Sequence, residues 1–253
     1  MALILDAACF CSTGKVRKNN EDNLYFDGRI LEAANDGLKH PVSMTRELRR
    51  EVCVAVFDGM GGGNYGEMAS FTAASCMQKN MLKLNEFFIP EREFLQRICQ
   101  ELNDAVTEKT EELKTEHMGS TMTALYFSHN YVYVCNLGDS RAYRLRNGEF
   151  LQLSADHVEK RGEEPRRKQP LTQYLGIPKD LLRIDPYIAK GELERGDQYL
   201  LCSDGLTDML SNLEIDEVLT RGLPTEETVK ALIDKALENG GKDNVTAILC
   251  RIL

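Results

Sequence analysis

The sequence predicts an α+β protein in which helices are layered on antiparallel sheets. Short apolar runs typical of strands lie at the start, in the middle and at the end of the chain, with two helical stretches before the middle strands and two more before the last strand. Asn147 and Gly148 separate two apolar runs, which is the pattern of a two-residue hairpin turn. So short a connection joins antiparallel neighbours, which argues against a βαβ series.

The composition predicts one globular domain spanning residues 1–253. A chain of 253 residues can bury a substantial core, and its 42% apolar and 28% charged residues are ordinary values. No apolar run approaches the roughly 18 residues of a membrane span, and the first residues lack the basic start of a signal peptide. We therefore expect a cytoplasmic protein without a membrane partner, and we expect it to be a monomer.

Net charge and cysteine usage argue against two further classes. A formal net charge of −9 speaks against a general nucleic-acid-binding surface. The eight cysteines include no pair with the two-residue spacing of zinc or redox motifs, and four of them lie in apolar runs. We expect them to be reduced thiols with a structural role.

In the first half of the chain, residues 2–12 and 23–26 are predicted strands, separated by a polar loop. Residues 28–50 contain an Asn35-Asp36-Gly37 turn and a basic run, and we interpret them as a hairpin-like excursion or an irregular insertion. The continuous apolar run at 52–57 predicts a strand buried on both faces. The stretches at 66–84 and 90–116 have helical composition.

In the second half, residues 119–127, 131–137, 142–145 and 150–153 are predicted to form an antiparallel meander. A polar, irregular segment follows at 157–175, and strands resume at 182–192 and 198–202. Ser211 and Glu214 form the pattern of a capping box at the start of a short helix. Pro224 opens another helix that stops at Gly240, and residues 244–252 form the last strand.

Three acids lie at the ends of apolar runs. Asp58 directly follows the run at 52–57 and precedes a glycine cluster that reaches Gly63, and Asp204 and Asp243 lie beside the runs at 199–202 and 245–250. A carboxylate at such a depth is costly unless a cation or several donors compensate it. We therefore predict one shared metal site, with Asp22 at the exit of the polar loop as a fourth acid.

The ligand types indicate which metal the site would take. Oxygen-only ligands favour Mg²⁺ or Mn²⁺ over zinc, and none of the four histidines has a chelating spacing. The alternative is that each acid is a helix cap, a turn former or a surface charge, with Arg17 in a surface ion pair. For one acid alone this alternative is the better one, whereas three acids in buried contexts favour the metal site.

An acidic site with two metal ions suits the hydrolysis of a phosphate ester. Two ions roughly 4 Å apart would lower the pKa of a shared water and hold the displacement in line. The peripheral oxygens of the phosphate also need a cation, and Arg17 is the candidate because its planar guanidinium binds two oxygens at once. The residues alone thus predict a metal-assisted phosphohydrolase.

Six short motifs also point to a family. They are Arg-Lys-Asn-Asn-Glu-Asp (17–22), Asp-Gly-Met-Gly-Gly (58–62), Gly-Ser-Thr (119–121), Gly-Asp-Ser-Arg (138–141), Ser-Asp-Gly (203–205) and Lys-Asp-Asn (242–244). In this order they resemble the PPM-type (type 2C) metal-dependent serine/threonine protein phosphatases, and the compact bacterial branch in particular, over about residues 6–252. Each motif alone is weak, but six in order are highly specific.

The resemblance implies a four-layer α-β-β-α sandwich of two antiparallel sheets flanked by helices, with a dinuclear Mn²⁺ or Mg²⁺ centre between the sheets. It implies that Asp58 bridges the two ions and that Arg17 grips the phosphate, which makes these two the candidate catalytic residues. The other implied metal ligands are Glu21, Asp22, the Gly59 carbonyl, Asp204 and Asp243, together with Asp139 for a third, weaker ion beside Asp204 and Asp208.

The sequence departs from the family pattern in three places. Met60 stands where many eukaryotic relatives carry a histidine proposed as general acid, so the resemblance assigns no proton donor. Residues 157–175 match the family's flap but are short and strongly charged, and residues 28–50 are longer than the usual connection. The basic flap residues Arg161, Arg166, Arg167 and Lys168 would attract phosphorylated segments or form a solvated loop, and the solvated loop is the better interpretation.

We expect a protein phosphatase that removes phosphate from serine or threonine, with phosphorylated proteins and a bacterial-type kinase as partners. Two alternatives stay open: a catalytically silent regulator or scaffold that binds phosphoproteins, and a phosphatase dedicated to one regulatory protein. The metal-site acids and Arg17 argue against the silent form, because a pure binder needs no such set.

Overall fold

Two antiparallel sheets packed face to face form the centre of the fold. The structure is a computed structural model and describes residues 2–61, 65–82, 89–115, 118–159 and 169–253. In chain order its strands are β1 (Ile4–Ser12), β2 (Asp22–Phe26), β3 (Val42–Glu47), β4 (Val52–Gly61), β5 (Met118–Ser120), β6 (Met122–Ser128), β7 (Tyr131–Leu137), β8 (Arg141–Arg146), β9 (Glu149–Gln152), β10 (Tyr187–Glu192), β11 (Gln198–Cys202) and β12 (Val245–Ile252). Sheet 1 has the order β3-β1-β12-β11-β8-β9, and sheet 2 has the order β10-β7-β6-β4-β2 with β5 added at the end of β4.

Helices cover the outer faces of both sheets. They are α1 (Tyr65–Leu82), α2 (Glu91–Glu112), α3 (Asp204–Thr207), α4 (Asn212–Leu219) and α5 (Thr225–Glu238). α1 and α2 share a buried apolar cluster with sheet 2, and α3, α4 and α5 share another with sheet 1. A third apolar cluster fills the space between the sheets. The predicted four-layer α-β-β-α sandwich is therefore confirmed.

β4 shows why the apolar run at 52–57 contains no polar position. Val54 and Val56 are fully buried between the two sheets, whereas Ala55 and Phe57 are fully buried beneath the helices. Because side chains alternate across a strand and both faces of this strand meet a core, every position must be apolar. The prediction of a strand buried on both faces is confirmed, and the first acid comes at Asp58, near the end of the strand.

The meander predicted for the middle of the chain is wrong in one respect. β6 pairs with β7 in sheet 2, but β8 pairs with β9 in sheet 1. The chain therefore crosses from one sheet to the other at 138–140, where Gly138 has a φ of +107°, a conformation that favours glycine. The pattern of apolar runs predicts where a strand ends, but it does not say which of two sheets receives the next strand.

Residues 28–50 are more regular than expected. The Asn35 turn is present, since Asn35 Oδ1 accepts a hydrogen bond of 2.9 Å from the backbone N of Gly37. Residues 42–47 then form β3, which pairs with β1 at the edge of sheet 1. β3 is largely exposed and carries polar residues, as expected for an edge strand. Because it lacks an apolar run, the sequence pattern did not predict it as a strand.

Several element boundaries also differ from the predictions. The strand predicted at 119–127 is divided into β5 and β6 at Thr121, and the strand predicted from 182 begins at Tyr187. α2 ends at Glu112, and the four-residue helix α3 begins at Asp204, where no helix was predicted. α3 is too short to leave a periodic signal in the sequence.

Local signals of other elements are confirmed. Ser211 Oγ accepts from the backbone N of Glu214, and the Glu214 side chain accepts from the backbone N of Ser211, which completes the capping box. All eight cysteines are free thiols, as expected. In the described part of the chain, no helix combines the length and the apolar character that crossing a membrane requires.

We predict that Gly148→Ala lowers the free energy of unfolding by about 1 kcal/mol, because its φ of +81° would force an L side chain into the left-handed region. Gly191→Ala is the matched control, since Gly191 has no positive φ and neither position crowds an added Cβ. Urea denaturation of the two variants measures the difference. Equal stability of the two variants would contradict the assigned turn.

Candidate metal centre

Acids from both sheets meet at one end of the sandwich. In sheet 2, β2 pairs with β4 so that Asp22 lies directly opposite Asp58. In sheet 1, Asp204 follows β11 and Asp243 precedes β12, and these two strands are neighbours. Ser203 donates a hydrogen bond to Asp22 across the two sheets. The acids predicted from separate parts of the sequence therefore border one region.

The Asp22 carboxylate is held by two hydroxyl groups of sheet 1. Its Oδ2 accepts hydrogen bonds from Ser203 Oγ at 2.8 Å and from Thr246 Oγ1 at 2.7 Å. The residue is 1% exposed, and its Oδ1 is buried without a hydrogen-bond partner among the described residues. One oxygen is thus fixed by donors, and the other is a buried acceptor that a cation would satisfy.

Burial and neighbouring carboxylates raise the pKa values of Asp22 and Glu21. Desolvation, with contributions from the charges of Asp204 and Asp243, raises the pKa of Asp22 to about 7, although its two hydroxyl partners act in the opposite direction. Desolvation also raises the pKa of Glu21, against the charge of Arg17. The region therefore favours added positive charge, whether a proton or a metal ion.

Arg17 forms ion pairs with acids at the rim of this region. Its Nη2 lies 2.8 Å from Asp243 Oδ2, and its Nη1 lies 4.0 Å from Glu21 Oε2. The side chain is 46% exposed, so the guanidinium also faces solvent, from which a phosphate would approach. The structure brings Arg17 to the acids, and the role of gripping phosphate stays a prediction.

Asn244 fixes the loop that carries Arg17. Its Nδ2 donates to the backbone oxygens of Thr13 at 2.8 Å and Asn19 at 2.9 Å, and its Oδ1 accepts from the backbone N of Glu21 at 2.8 Å. One side chain thus holds both ends of the loop between β1 and β2. The loop approaches so closely that a Cβ on Gly14 would lie 2.2 Å from the backbone oxygen of Asp243.

Gly59 permits the close packing of backbone around the site. A Cβ there would lie 2.0 Å from the backbone oxygen of Gly66 and 2.6 Å from that of Glu21, which no side chain can tolerate. Its N–H donates to the Glu21 backbone oxygen at 3.0 Å. Glycine is therefore required beside Asp58, and it keeps the 20–22 segment against the end of β4.

Asp139 lies at the crossing between the sheets. The next residue, Ser140, is hydrogen-bonded through its Oγ to Thr121 Oγ1 at 2.8 Å, and Thr121 Oγ1 accepts from the backbone N of Asp58 at 3.0 Å. The backbone N of Asp208 donates to the backbone oxygen of Asp204 at 2.7 Å, which brings Asp208 to the same end of the fold. These contacts bring Asp139 close to the strand that carries Asp58, and the further ion shared by Asp139 and Asp204 stays a prediction.

A comparison with known families agrees with this geometry. The family described as Protein phosphatase 2C matches residues 41–250, which is most of the chain. This chain belongs to the protein phosphatase 2C family. The matched range contains the motifs from Asp58 onward, and the Arg17–Asp22 motif lies before it.

Individual relatives extend the similarity of this phosphatase 2C chain over nearly its whole length. It is 31% identical over 251 residues to the serine/threonine phosphatase stp of Listeria innocua, covering 93% of this chain and 91% of that protein. The crystal structure of the catalytic domain of the serine threonine protein phosphatase PstP, in complex with two manganese ions, matches with a TM-score of 0.79, 30% identity and 99% coverage of both chains. The S. agalactiae serine/threonine phosphatase matches with a TM-score of 0.80 and 25% identity, covering 98% of this chain and 99% of that one.

The donor set of this phosphatase 2C chain fits Mn²⁺ or Mg²⁺. The acids and the backbone carbonyl beside them supply oxygen only, and Asp22 Oδ1 is a buried acceptor for which the described residues provide no donor. Within the described ranges, no three His, Cys, Asp or Glu side chains are already grouped as a coordination shell. The backbone thus places the acids together, and their side chains must adjust to bind an ion. In this structure the Asp243 carboxylate is paired with Arg17.

Three site residues were not given a role from the sequence. Asn244 clamps the loop, and Ser203 and Thr246 hold Asp22. One feature of the sequence could have identified them: a polar side chain lies within or next to an otherwise apolar strand, as Thr246 does in β12. Such a residue needs a buried hydrogen-bond partner. Of the predicted residues, Gly62, Gly63, His117 and the basic residues at 161–168 lie outside the described residues.

We predict that the metal-free protein becomes less stable as pH rises from about 4 to about 7. The folded state holds the Asp22 proton up to a pKa of about 7, whereas the ordinary value is 3.8. The folded state therefore binds more protons in this window, and stability falls with rising pH. Urea unfolding of chelator-treated protein near pH 5 and near pH 8 gives the free energy of unfolding at each pH. We expect its decrease between the two pH values to be about 2 kcal/mol larger in the wild type than in Asp22→Asn. An identical pH dependence in the variant would contradict the assignment.

Proposed function

We propose that this chain hydrolyses phosphoserine and phosphothreonine in proteins with the aid of two Mn²⁺ or Mg²⁺ ions. The observation that carries the proposal is the gathering of Asp22, Asp58, Asp204 and Asp243 at one end of two sheets, in a chain of the protein phosphatase 2C family. The relatives named above are serine/threonine phosphatases, and one of them holds two manganese ions. The raised pKa of Asp22 supports a site that takes up positive charge.

Each residue has a role in this proposal. Asp58 would hold both ions, with the Gly59 carbonyl on one of them and Asp204 and Asp243 on the other side. Glu21 and Asp22 would complete the site directly or through water. Two such ions, when bound, lower the pKa of an attacking water and offset the charge of the phosphoryl group.

The protein's own groups bind and orient the substrate. Arg17 would bind the peripheral oxygens of the phosphate, and the Asn244 clamp holds its loop in place for that contact. Ser203 and Thr246 keep the Asp22 carboxylate in one orientation. Asp139 would take part in a third ion site beside Asp204. No residue is assigned as the donor of the proton to the leaving serine or threonine oxygen, because Met60, next to the site, has no proton to donate.

The substrate chemistry implies the partner enzymes. A phosphate monoester on serine or threonine is the product of a protein kinase, so we propose that the chain opposes such a kinase. We propose further that it acts as a monomer in the cytoplasm. A catalytically silent phosphoprotein-binding regulator is the alternative of a different class, and the retained acids speak against it.

We predict that Asp58→Asn lowers kcat for p-nitrophenyl phosphate about a thousandfold, because the ions are worth several kcal/mol to the transition state. Asp234→Asn, on the exposed face of α5 and paired with Lys230, is the matched control and should retain activity. The assay uses a Mn²⁺ titration, with EDTA to abolish turnover, and thermal unfolding to verify the fold of each variant. Folded wild-type protein with no Mn²⁺-dependent turnover would support the silent regulator instead.

We also predict that Thr246→Val weakens Mn²⁺ binding about tenfold, since Val keeps the shape but loses the hydrogen bond that orients Asp22. Thr246→Ser restores the donor and should bind as the wild type does. Calorimetric titration of chelator-treated protein with Mn²⁺ measures the dissociation constant without any assay of activity. Unchanged affinity in Thr246→Val would show that this orientation does not matter for the metal.

A further inference from the structure

A groove opens directly beside the end of the strand that carries Asp58. Met60 and Gly61 of β4 and Met118 and Gly119 of β5 form one wall, and α2 forms another. The cavity has a volume of about 520 Å³, within the range of pockets that bind ligands. The rest of its lining includes Thr107, Thr110 and Glu111 of α2, together with Gly176, Pro178 and Leu181.

The lining of the groove is predominantly apolar. Met60, Pro178 and Leu181 present apolar surface, Leu181 being 75% exposed, and Met118 contributes from the buried core beneath. The threonines of α2 add little polarity, because the hydroxyls of Thr107 and Thr110 already bond to backbone oxygens of their own helix, each at 2.8 Å. Among the lining residues, Glu111 carries the one formal charge, and its side chain lies at the exposed rim.

The walls of the groove are fixed to each other before any ligand binds. Asn103 of α2 is buried, and its Oδ1 accepts from the backbone N of Gly176 at 2.9 Å and of Ile177 at 3.0 Å. Its Nδ2 donates to the Ile177 backbone oxygen at 2.9 Å. The 174–178 segment is therefore held against α2 by a side chain with no water to compete for it, and the groove is preorganised.

The same segment is also tied to the strand that carries Asp58. Leu175 and Ser120 exchange two backbone hydrogen bonds, at 2.7 Å and 3.0 Å. Ser120 Oγ in turn donates to the Asp58 backbone oxygen at 3.2 Å, and β5 pairs with β4 from Gly59 to Gly61. The position of the groove relative to Asp58 is thus set by hydrogen bonds rather than by a mobile loop.

We propose that this groove binds the segment of a phosphoprotein that flanks the phosphorylated residue, and that it selects an apolar side chain there with a basic residue next to it. The proposal rests on the proposed function, because it takes the phosphate to lie at Asp58. Met60 is two strand residues from Asp58, roughly 7 Å along β4. A chain with its phosphate at Asp58 therefore reaches the groove within a few residues, and Glu111 offers a partner to a Lys or Arg.

The test uses phosphothreonine peptides in which leucine replaces alanine at each position on either side of the phosphothreonine in turn. We expect leucine at one or two positions to raise kcat/KM about tenfold through a lower KM, which is the usual effect of one apolar side chain in a pocket. Turnover of p-nitrophenyl phosphate, which has no flanking residues, serves as the reference in the same preparation. No preference for leucine at any position would overturn the proposal.

Leu181→Glu and Leu182→Glu are a matched pair of variants. Both leucines are exposed, at 75% and 45%, so neither change is expected to unfold the protein, but only Leu181 lines the groove. We expect Leu181→Glu to abolish the leucine preference, while Leu182→Glu keeps it and both retain hydrolysis of p-nitrophenyl phosphate. A preference that survives Leu181→Glu would overturn the proposal.

Glu111 is tested in the same way with a lysine beside the favoured leucine. Glu111→Gln should remove the gain from lysine, and Glu108→Gln, on the same helix but outside the groove, should not.

A concentration-dependent dimer that Leu181→Glu disperses would assign the groove to a second copy of this chain and overturn the proposal. Absence of Mn²⁺-dependent turnover of p-nitrophenyl phosphate would instead contradict the proposed function, so the two failures are distinguishable.

Discussion

The hydrogen bonds of the Asp22 carboxylate are the contacts on which the site depends. Asp22 belongs to sheet 2, yet its donors, Ser203 and Thr246, belong to the β11–β12 end of sheet 1. A carboxylate that is 1% exposed would be strongly unfavourable without them, because burial penalises its charge. The two sheets are therefore joined at this end by a polar contact, whereas apolar packing joins them elsewhere.

Within single strands, the residues that stabilise the core are distinct from those that form the candidate metal site. β4 is apolar where both of its faces meet a core, and it carries Asp58 and Gly59 where it leaves the core. The same division recurs where β11 ends and where β12 begins. Strands buried on both faces hold their ends in place, so the backbones of the acids at those ends keep their relative positions, while contacts such as those of Asp22 orient the side chains.

The loops around the site are held in place by hydrogen bonds from single side chains. Asn244 clamps the loop of Arg17, and Asn103 clamps the 174–178 segment beside α2. In each case one buried or half-buried amide satisfies three backbone groups, which a loop cannot satisfy internally. The proposed phosphate contact and the proposed peptide groove thus each depend on an asparagine side chain that hydrogen-bonds to the backbone of a loop.

The sequence by itself determined the class of the fold, its reduced cysteines and the acids of the site. These follow from local causes: the alternation or continuity of apolar residues, the Asn147-Gly148 turn, and acids placed where apolar runs stop. Only the tertiary structure decided that β8 and β9 join sheet 1, that β3 forms an edge strand, and that Arg17 pairs with Asp243. It also decided the roles of Asn244, Ser203 and Thr246. Their partners lie far away in the chain, and no local pattern specifies which distant segments meet, because that depends on how all the layers bury their apolar faces at once.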